Sequence, residues 1–258
     1  MFENDNTLMI KALNDMLERN YDKAEKRFKK LARKNNAQAL YWLGEIYSSK
    51  DYRYYNVAQA LSYFEKAAQL GYVLAMSKAG NLYFNNDYQK AIYYYQLGAN
   101  NNDTYCLSRM GYSVANFNGN SHDYSKAIQY FKATLNDNSE DNSNIVADSA
   151  HVLGQMYWNG IGVDKNQEKA FQYFEKAASL KNSKALFMIG TCYHYGTFKN
   201  KDLIKAIQYY HEAYNQGYIQ AGIELVRIYV EDFNDIIKAK DLIDKLCDED
   251  TVDSQIIW

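Results

Sequence analysis

His151 and His194, with Cys192 two residues before the second, are the side chains best suited to chemistry in this sequence. Facing each other from neighbouring helices, the two imidazoles could act as an acid–base pair for hydrolysis. A metal would need three or four converging ligands, and no carboxylate or thiolate lies at ligand spacing from them. The sequence holds no nucleophile elbow, no His-Glu-x-x-His run and no paired-carboxylate motif. Gly160-Ile161-Gly162 resembles part of a phosphate loop, but no strand precedes it and the third glycine is missing. These residue types point away from catalysis and toward no cofactor and no metal. A hydrolase using His151 and His194 is the remote alternative.

The elements that carry these residues repeat. Lys/Gln-Ala followed by two adjacent aromatics recurs at Gln59-Ala60 with Tyr63-Phe64, Lys90-Ala91 with Tyr94-Tyr95 and Lys126-Ala127 with Tyr130-Phe131. It returns at Lys169-Ala170 with Tyr173-Phe174 and Lys205-Ala206 with Tyr209-Tyr210, with degenerate copies at Lys23-Ala24 and Lys238-Ala239. Successive alanines are 36, 31, 36, 43, 36 and 33 residues apart, a period typical of stacked arrays rather than compact enzymes. Upstream of each alanine lies a small or polar residue, three spacers, an apolar residue, Gly, two spacers and usually Tyr. The copies centre on Gly44, Gly80, Gly111, Gly154 and Gly190, and in the last copy Val226 replaces the glycine. Offsets of three and four put each motif on one helical stripe. Glycine inside a helix costs about 1 kcal/mol relative to alanine, so a close approach of the neighbouring helix backbone is expected there. Each unit is then a helical hairpin whose apolar face is completed by its neighbours.

The pattern resembles the Sel1-like repeat family, relatives of the tetratricopeptide repeats. The best copy runs from Ser149 through Leu153-Gly154, Tyr157 and Gly160-Ile161-Gly162-Val163 to Lys169-Ala170 and Tyr173-Phe174. The resemblance covers about residues 21–247. The Gly-Ile-Gly-Val turn occurs once, and Val114 stands where repeat three should carry Tyr. The resemblance implies an all-α, right-handed α-solenoid of about seven stacked antiparallel hairpins with no sheet. Unit bounds fall near 5–35, 36–72, 73–102, 103–137, 146–182, 183–218 and 219–248, in one domain over 1–258. A polar insertion occupies 136–145, expected as an exposed mobile loop, and a tail occupies 249–258. Asn118–Asp123 is a second polar turn.

Composition narrows the function. Proline is absent, and 26 tyrosines are largely absorbed by repeat positions. A net charge of −2 predicts no general affinity for nucleic acid or anionic membrane. No 18-residue apolar segment and no signal-peptide pattern occur, and three widely spaced cysteines form no framework of disulfides. Some secreted Sel1-like proteins carry a cysteine pair per repeat; this chain does not, so the expected location is the cytoplasm. Charge is uneven at the ends. Lys23, Lys26, Arg27, Lys29, Lys30, Arg33 and Lys34 crowd one helix, and acids from Glu231 to Asp253 crowd the other end; both are expected as solubilising caps.

By the resemblance, the first helix of each hairpin lines a concave groove. Counted from the motif glycine, positions −3, +1 and +4 avoid the core stripe and should face it. The candidate partner-binding residues are Tyr41, Glu45, Asn81, Phe84, Ser108, Tyr112, His151, Gln155, Trp158, Phe187, Thr191, His194 and Arg227. Aromatics among hydrogen-bonding groups suit a protein-binding surface. The expected function is a non-catalytic module gripping another protein, a bacterial regulator or inhibitor such as a toxin-neutralising immunity protein, acting as a monomer or weak oligomer. The alternative is a scaffold for a signalling assembly.

Overall fold

The computed structural model describes residues 4–115 and 123–248, and among them every regular element is helical. Fourteen α-helices follow in order: α1 (Asp5–Leu17), α2 (Tyr21–Ala32), α3 (Ala37–Ser48), α4 (Val57–Gln69), α5 (Val73–Tyr83), α6 (Tyr88–Asn100) and α7 (Thr104–Ala115). Then come α8 (Tyr124–Thr134), α9 (Ser143–Asn159), α10 (Gln167–Ser179), α11 (Ser183–Tyr195), α12 (Leu203–Asn215), α13 (Ile219–Arg227) and α14 (Ile236–Asp248), with a π-helical turn at Ile228–Asp232 after α13. The glycine motif falls on α3, α5, α7, α9 and α11, with Val226 in its place on α13, and the alanine–aromatic motif falls on α4, α6, α8, α10 and α12, with degenerate copies on α2 and α14. The chain divides into two compact units, Met1–Ser113 and Val114–Trp258, each an array of stacked hairpins.

One junction is repeated in every hairpin that follows a motif residue. Asn56, Asp87, Asp123, Asn166, Asp202 and Asp235 precede the second helices, and each side chain accepts the backbone N–H three residues on, at 2.9–3.1 Å. That satisfies one of the amides a helix start leaves unpaired. The N–H of the same capping residue donates to the carbonyl of the motif residue: Asn56 to Tyr47, Asp87 to Tyr83, Asp123 to Val114, Asn166 to Tyr157, Asp202 to Tyr193 and Asp235 to Tyr229. The bond survives loops of unequal length. Tyr83 and Asp87 are four apart and Tyr229 and Asp235 six, against nine in the other links. Those short links account for the 31- and 33-residue spacings.

The motif glycines exist to admit a ring. A Cβ on Gly154 would lie 2.4 Å from the Phe174 ring, and the same collision recurs between Gly44 and Phe64, Gly80 and Tyr95, and Gly190 and Tyr210. The close neighbour is thus the second aromatic of the pair, not the helix backbone expected from sequence. Phe64, Tyr95, Phe174 and Tyr210 are all fully buried beneath these glycines. The first aromatic of the pair stacks on the motif tyrosine instead: Tyr63 on Tyr47, Tyr94 on Tyr83, Tyr173 on Tyr157 and Tyr209 on Tyr193, with centroids 5.4–5.9 Å apart. The lysine of the alanine motif covers that tyrosine, Lys90 over Tyr83, Lys169 over Tyr157, Lys205 over Tyr193 and Lys238 over Tyr229, at 4.9–5.7 Å. Neighbouring repeats add polar links: the Tyr47 hydroxyl donates to Glu25, and the Tyr83 and Tyr94 hydroxyls both donate to Glu65. Much of the tyrosine content is this internal ladder.

The polar insertion is more ordered than a mobile loop. Ser143 and Asn144 already belong to α9, Asp137 accepts the Ser139 N–H, and Asn142 donates its side-chain amide to Asp137. The turn at 118–123 lies outside the described residues except for Asp123.

Candidate protein-binding surface

In the first unit, three rows leave the first helices at positions −3, +1 and +4, but they do not share one environment. Position −3 turns inward. Tyr41 is buried against Trp42, Phe64 and Tyr72, and Ser108 is buried as well. The groove expectation is therefore corrected at these two positions: the ring of Tyr72, from the next first helix, covers Tyr41. Position +1 stays outward. Glu45 is half-buried and pairs with Lys78 at 2.9 Å, Asn81 is exposed and Tyr112 is half-buried.

The exposed feature of this face is a fixed cluster. Phe84 at +4 is 38% exposed, and the Arg109 guanidinium lies over its ring at 4.4 Å and over Tyr95 at 5.4 Å. Beside them the Asn81 side-chain Oδ1 accepts the hydroxyls of Tyr95 and Tyr105 at 2.7 and 2.8 Å. Arg109 and Tyr105 were not among the sequence candidates. They sit two and six residues before Gly111, positions that only the placement of α7 against α5 brings to Phe84 and Asn81.

In the second unit, His151 is buried against Phe174, and Phe187 is half-buried between Tyr210 and Tyr218. Trp158 is half-buried with its ring tilted on Phe174 at 6.2 Å, so it belongs partly to the core. Gln155 and Arg227 are exposed. Thr191 accepts the Tyr210 hydroxyl at 3.2 Å. His194, expected in the groove, is buried instead, stacked on Tyr195 and within 3.5 Å of Asp232 and 3.9 Å of Glu224. On the outside of this knot, Arg227 donates to the Tyr195 hydroxyl at 3.0 Å and to Glu224 at 3.2 Å, while Tyr195 remains 51% exposed. Each unit thus presents an arginine held on an aromatic along its first-helix face.

The two histidines have different neighbours, His151 packing on Phe174 and His194 on Tyr195. Burial, with Lys184 nearby, lowers His151 from its ordinary 6.5 to about 4. A histidine depressed in the fold binds fewer protons there than in the unfolded chain, so stability is full above about pH 6.5 and falls as pH drops toward 4. His151→Gln should therefore shift the midpoint of acid unfolding to lower pH, followed by circular dichroism; an unchanged midpoint would contradict the burial argument.

Cys106 and Cys192 are buried and Cys247 half-buried, all as free thiols, and burial raises the first two above the usual thiol range. Among the described residues, no cluster of three His, Cys, Asp or Glu side chains is placed to hold a metal ion. No helix among them is long and apolar enough to cross a membrane. The basic helix α2 and the turn after it are partly neutralised within the chain: Arg27 pairs with Asp15 and Lys29 with Glu25, and Lys34, just beyond the helix, pairs with Asp5. At the other end Asp235 pairs with Lys238 and Asp241 with Lys245; Glu249, Asp250 and Asp253 lie outside the described residues.

Comparison with known proteins agrees with this architecture. The chain is similar in fold to a Sel1 repeat protein from Oxalobacter formigenes, at TM-score 0.76 and 23% identity, over 93% of this chain and 99% of that one. It is also similar to c5321, described as a protective antigen of uropathogenic Escherichia coli, at TM-score 0.57 and 19% identity, over 95% of this chain and 62% of that one. No curated protein matches the sequence. The profile of the Sel1 repeat matches residues 37–72, 74–103, 104–135, 147–182 and 183–218, more than half of the chain. Repeats of this kind form protein-interaction modules, typically without catalysis. With its glycine–ring contacts in register and five matching repeats, this chain belongs to the Sel1 repeat family.

Proposed function

We propose that this protein is a non-catalytic binding module that grips another protein along the first-helix faces of its repeats. The observation that carries the reading is the pair of preorganised arginine–aromatic clusters at the surface, exposed Phe84 with half-buried Arg109 and exposed Tyr195 with exposed Arg227. Arginine and large aromatics dominate binding hot spots, and side chains already fixed lose less entropy on docking. The half-buried Trp158 and the exposed Gln155 extend the surface of the second unit, and Asn81 and Tyr112 that of the first. Tyr41, Ser108, His151 and His194 act beneath this surface by shaping the helices that present it. The finer reading is a regulator or inhibitor of its partner in the cytoplasm, an immunity protein if that partner is a toxin and a scaffold if it is a component of a signalling assembly.

The test is capture from native lysate with the tagged chain, followed by titration calorimetry against the purified partner. Arg109→Ala or Arg227→Ala should weaken binding by about 2 kcal/mol, the threshold of a hot spot. Gln172→Ala, exposed on the second helix α10, should leave it unchanged. Equal binding by all three variants would refute the surface. The partner's own activity, inhibited or merely tethered, separates inhibitor from scaffold.

A further inference from the structure

Between α2, α3 and α4 of the first unit lies a basin of about 590 Å³, a volume in the range of small-molecule sites. Leu40 and Leu43 of α3, both buried, and Tyr63 of α4, stacked on Tyr47, give it an apolar lining. Three cations stand around that lining: Lys29 on α2, Arg33 at the C-terminal cap of α2, and Lys66 on α4. No carboxylate is among the lining residues, and none of the residues assigned to the partner surface is either.

The charge of this basin is only partly balanced. Lys29 donates to Glu25 at 2.7 Å and to the Tyr47 hydroxyl at 3.3 Å, so its ammonium is both neutralised and fixed. Arg33 and Lys66 are exposed, and neither pairs with a carboxylate among the described residues. Two uncompensated positive charges therefore stand beside apolar surface. The repeat does not require them. Counted from the key alanines, Lys29 and Arg33 are positions +5 and +9 of one second helix, and Lys66 is position +6 of the next. The same three positions are Glu65, Gln69 and Leu97 in the following link, and Glu175, Ser179 and Glu212 in the link from α10 to α12. The link from α8 to α10 has Lys132, Asn136 and Lys176, and there Lys176 donates to the Leu135 carbonyl at 3.1 Å. No other link carries three cations at these places.

We infer that this basin binds a small organic phosphate, its phosphate held by Arg33 and Lys66 and its organic part lying on Leu40, Leu43 and Tyr63. A phosphate monoester carries a charge of about −1.5 to −2 at pH 7, which matches the two unpaired cations. Arg33 offers a planar fork to two phosphate oxygens, and Lys66 a compact point charge. Lys29 uses two of its three N–H donors within the chain and keeps one for a further oxygen. A basin of this volume admits a small molecule rather than a helix, which is about 10–12 Å across with its side chains.

Titration calorimetry of the full chain with phenyl phosphate tests this. One saturable site is expected, weakened about tenfold or more by Arg33→Gln and by Lys66→Gln, the loss expected of one hydrogen-bonded charge. Inorganic phosphate should bind more weakly, because it leaves the apolar lining uncovered. Lys176→Gln, at the corresponding place between α8 and α10, should bind as the wild type does. All three side chains are exposed, and circular dichroism verifies that the variants fold. No saturable binding, or binding that Arg33→Gln and Lys66→Gln leave unchanged, would overturn the inference. Equal affinity for phenyl phosphate and inorganic phosphate would overturn it too, reducing the site to a bare anion contact. So would binding of a glutamate-rich peptide but not of phenyl phosphate, which would assign the basin to an acidic protein segment.

Discussion

Phe174→Ala is expected to cost about 3–5 kcal/mol of stability, the range for deleting a fully buried phenylalanine. The ring has no exposed surface, sits under Gly154 and is also packed by His151 and Trp158. The more informative measurement is the double-mutant cycle with Gly154→Ala. Alanine is the better helix former by about 1 kcal/mol, so an uncrowded site would be stabilised. Here its methyl would press into the Phe174 ring, and Gly154→Ala alone should destabilise. In the Phe174→Ala background the ring is gone, and the same change should stabilise. Denaturant melts of the four proteins would show that reversal of sign, and the same sign in both backgrounds would refute glycine–ring packing. Because hairpins couple mainly to their neighbours, hydrogen exchange should show lost protection spreading from α9 and α10 before the rest of the unit opens. The larger replacement Gly154→Leu should be worse than alanine for the same reason.

The repeat was legible because it is written in residue types. Gly154, Tyr157, Ala170 and the Tyr173-Phe174 pair recur at offsets that only a helical hairpin places on one side, and the observed hairpins fall where those motifs predict. The cause of the glycine was not legible: an offset along one helix cannot say whether a backbone or a ring edge approaches it. The capping residues were a missed signal, since Asn or Asp stands three before the key Lys or Gln at 56, 87, 123, 166, 202 and 235. They would have located the starts of the second helices.

The exposure of the first-helix positions was legible by half. Counting positions along a first helix separated +1 from the core, and Asn81, Gln155 and Arg227 are exposed there. It misplaced −3, because whether that position faces outward depends on the next first helix, as the ring of Tyr72 over Tyr41 demonstrates. Arg109 and Tyr195 escaped because their importance arises from partners in another helix, Phe84 and Arg227.

Truncation of the surface aromatics, exposed Phe84 and half-buried Trp158, gives the second large effect. Phe84→Ala should weaken partner binding by about 2 kcal/mol or more while changing stability little, since its ring is partly open, lying between the Arg109 guanidinium and the edge of Tyr88. Trp158→Ala should weaken binding on the same scale, but it should also destabilise the fold, because its ring packs on Phe174. Calorimetry and thermal melts on both variants separate the two contributions. A Phe84→Ala protein that binds normally would remove the first unit from the interface.

The most direct measurement is the hydrogen-exchange footprint of the captured partner on the full chain. Slowed exchange in the first helices α5 and α7 around Phe84 and Arg109, or in α9, α11 and α13 around Gln155, Tyr195 and Arg227, is the predicted result. Protection confined to α2, with binding abolished by charge reversal at Lys29 and Lys30 and untouched by Arg109→Ala and Arg227→Ala, would contradict it and move the binding site to the basic helix.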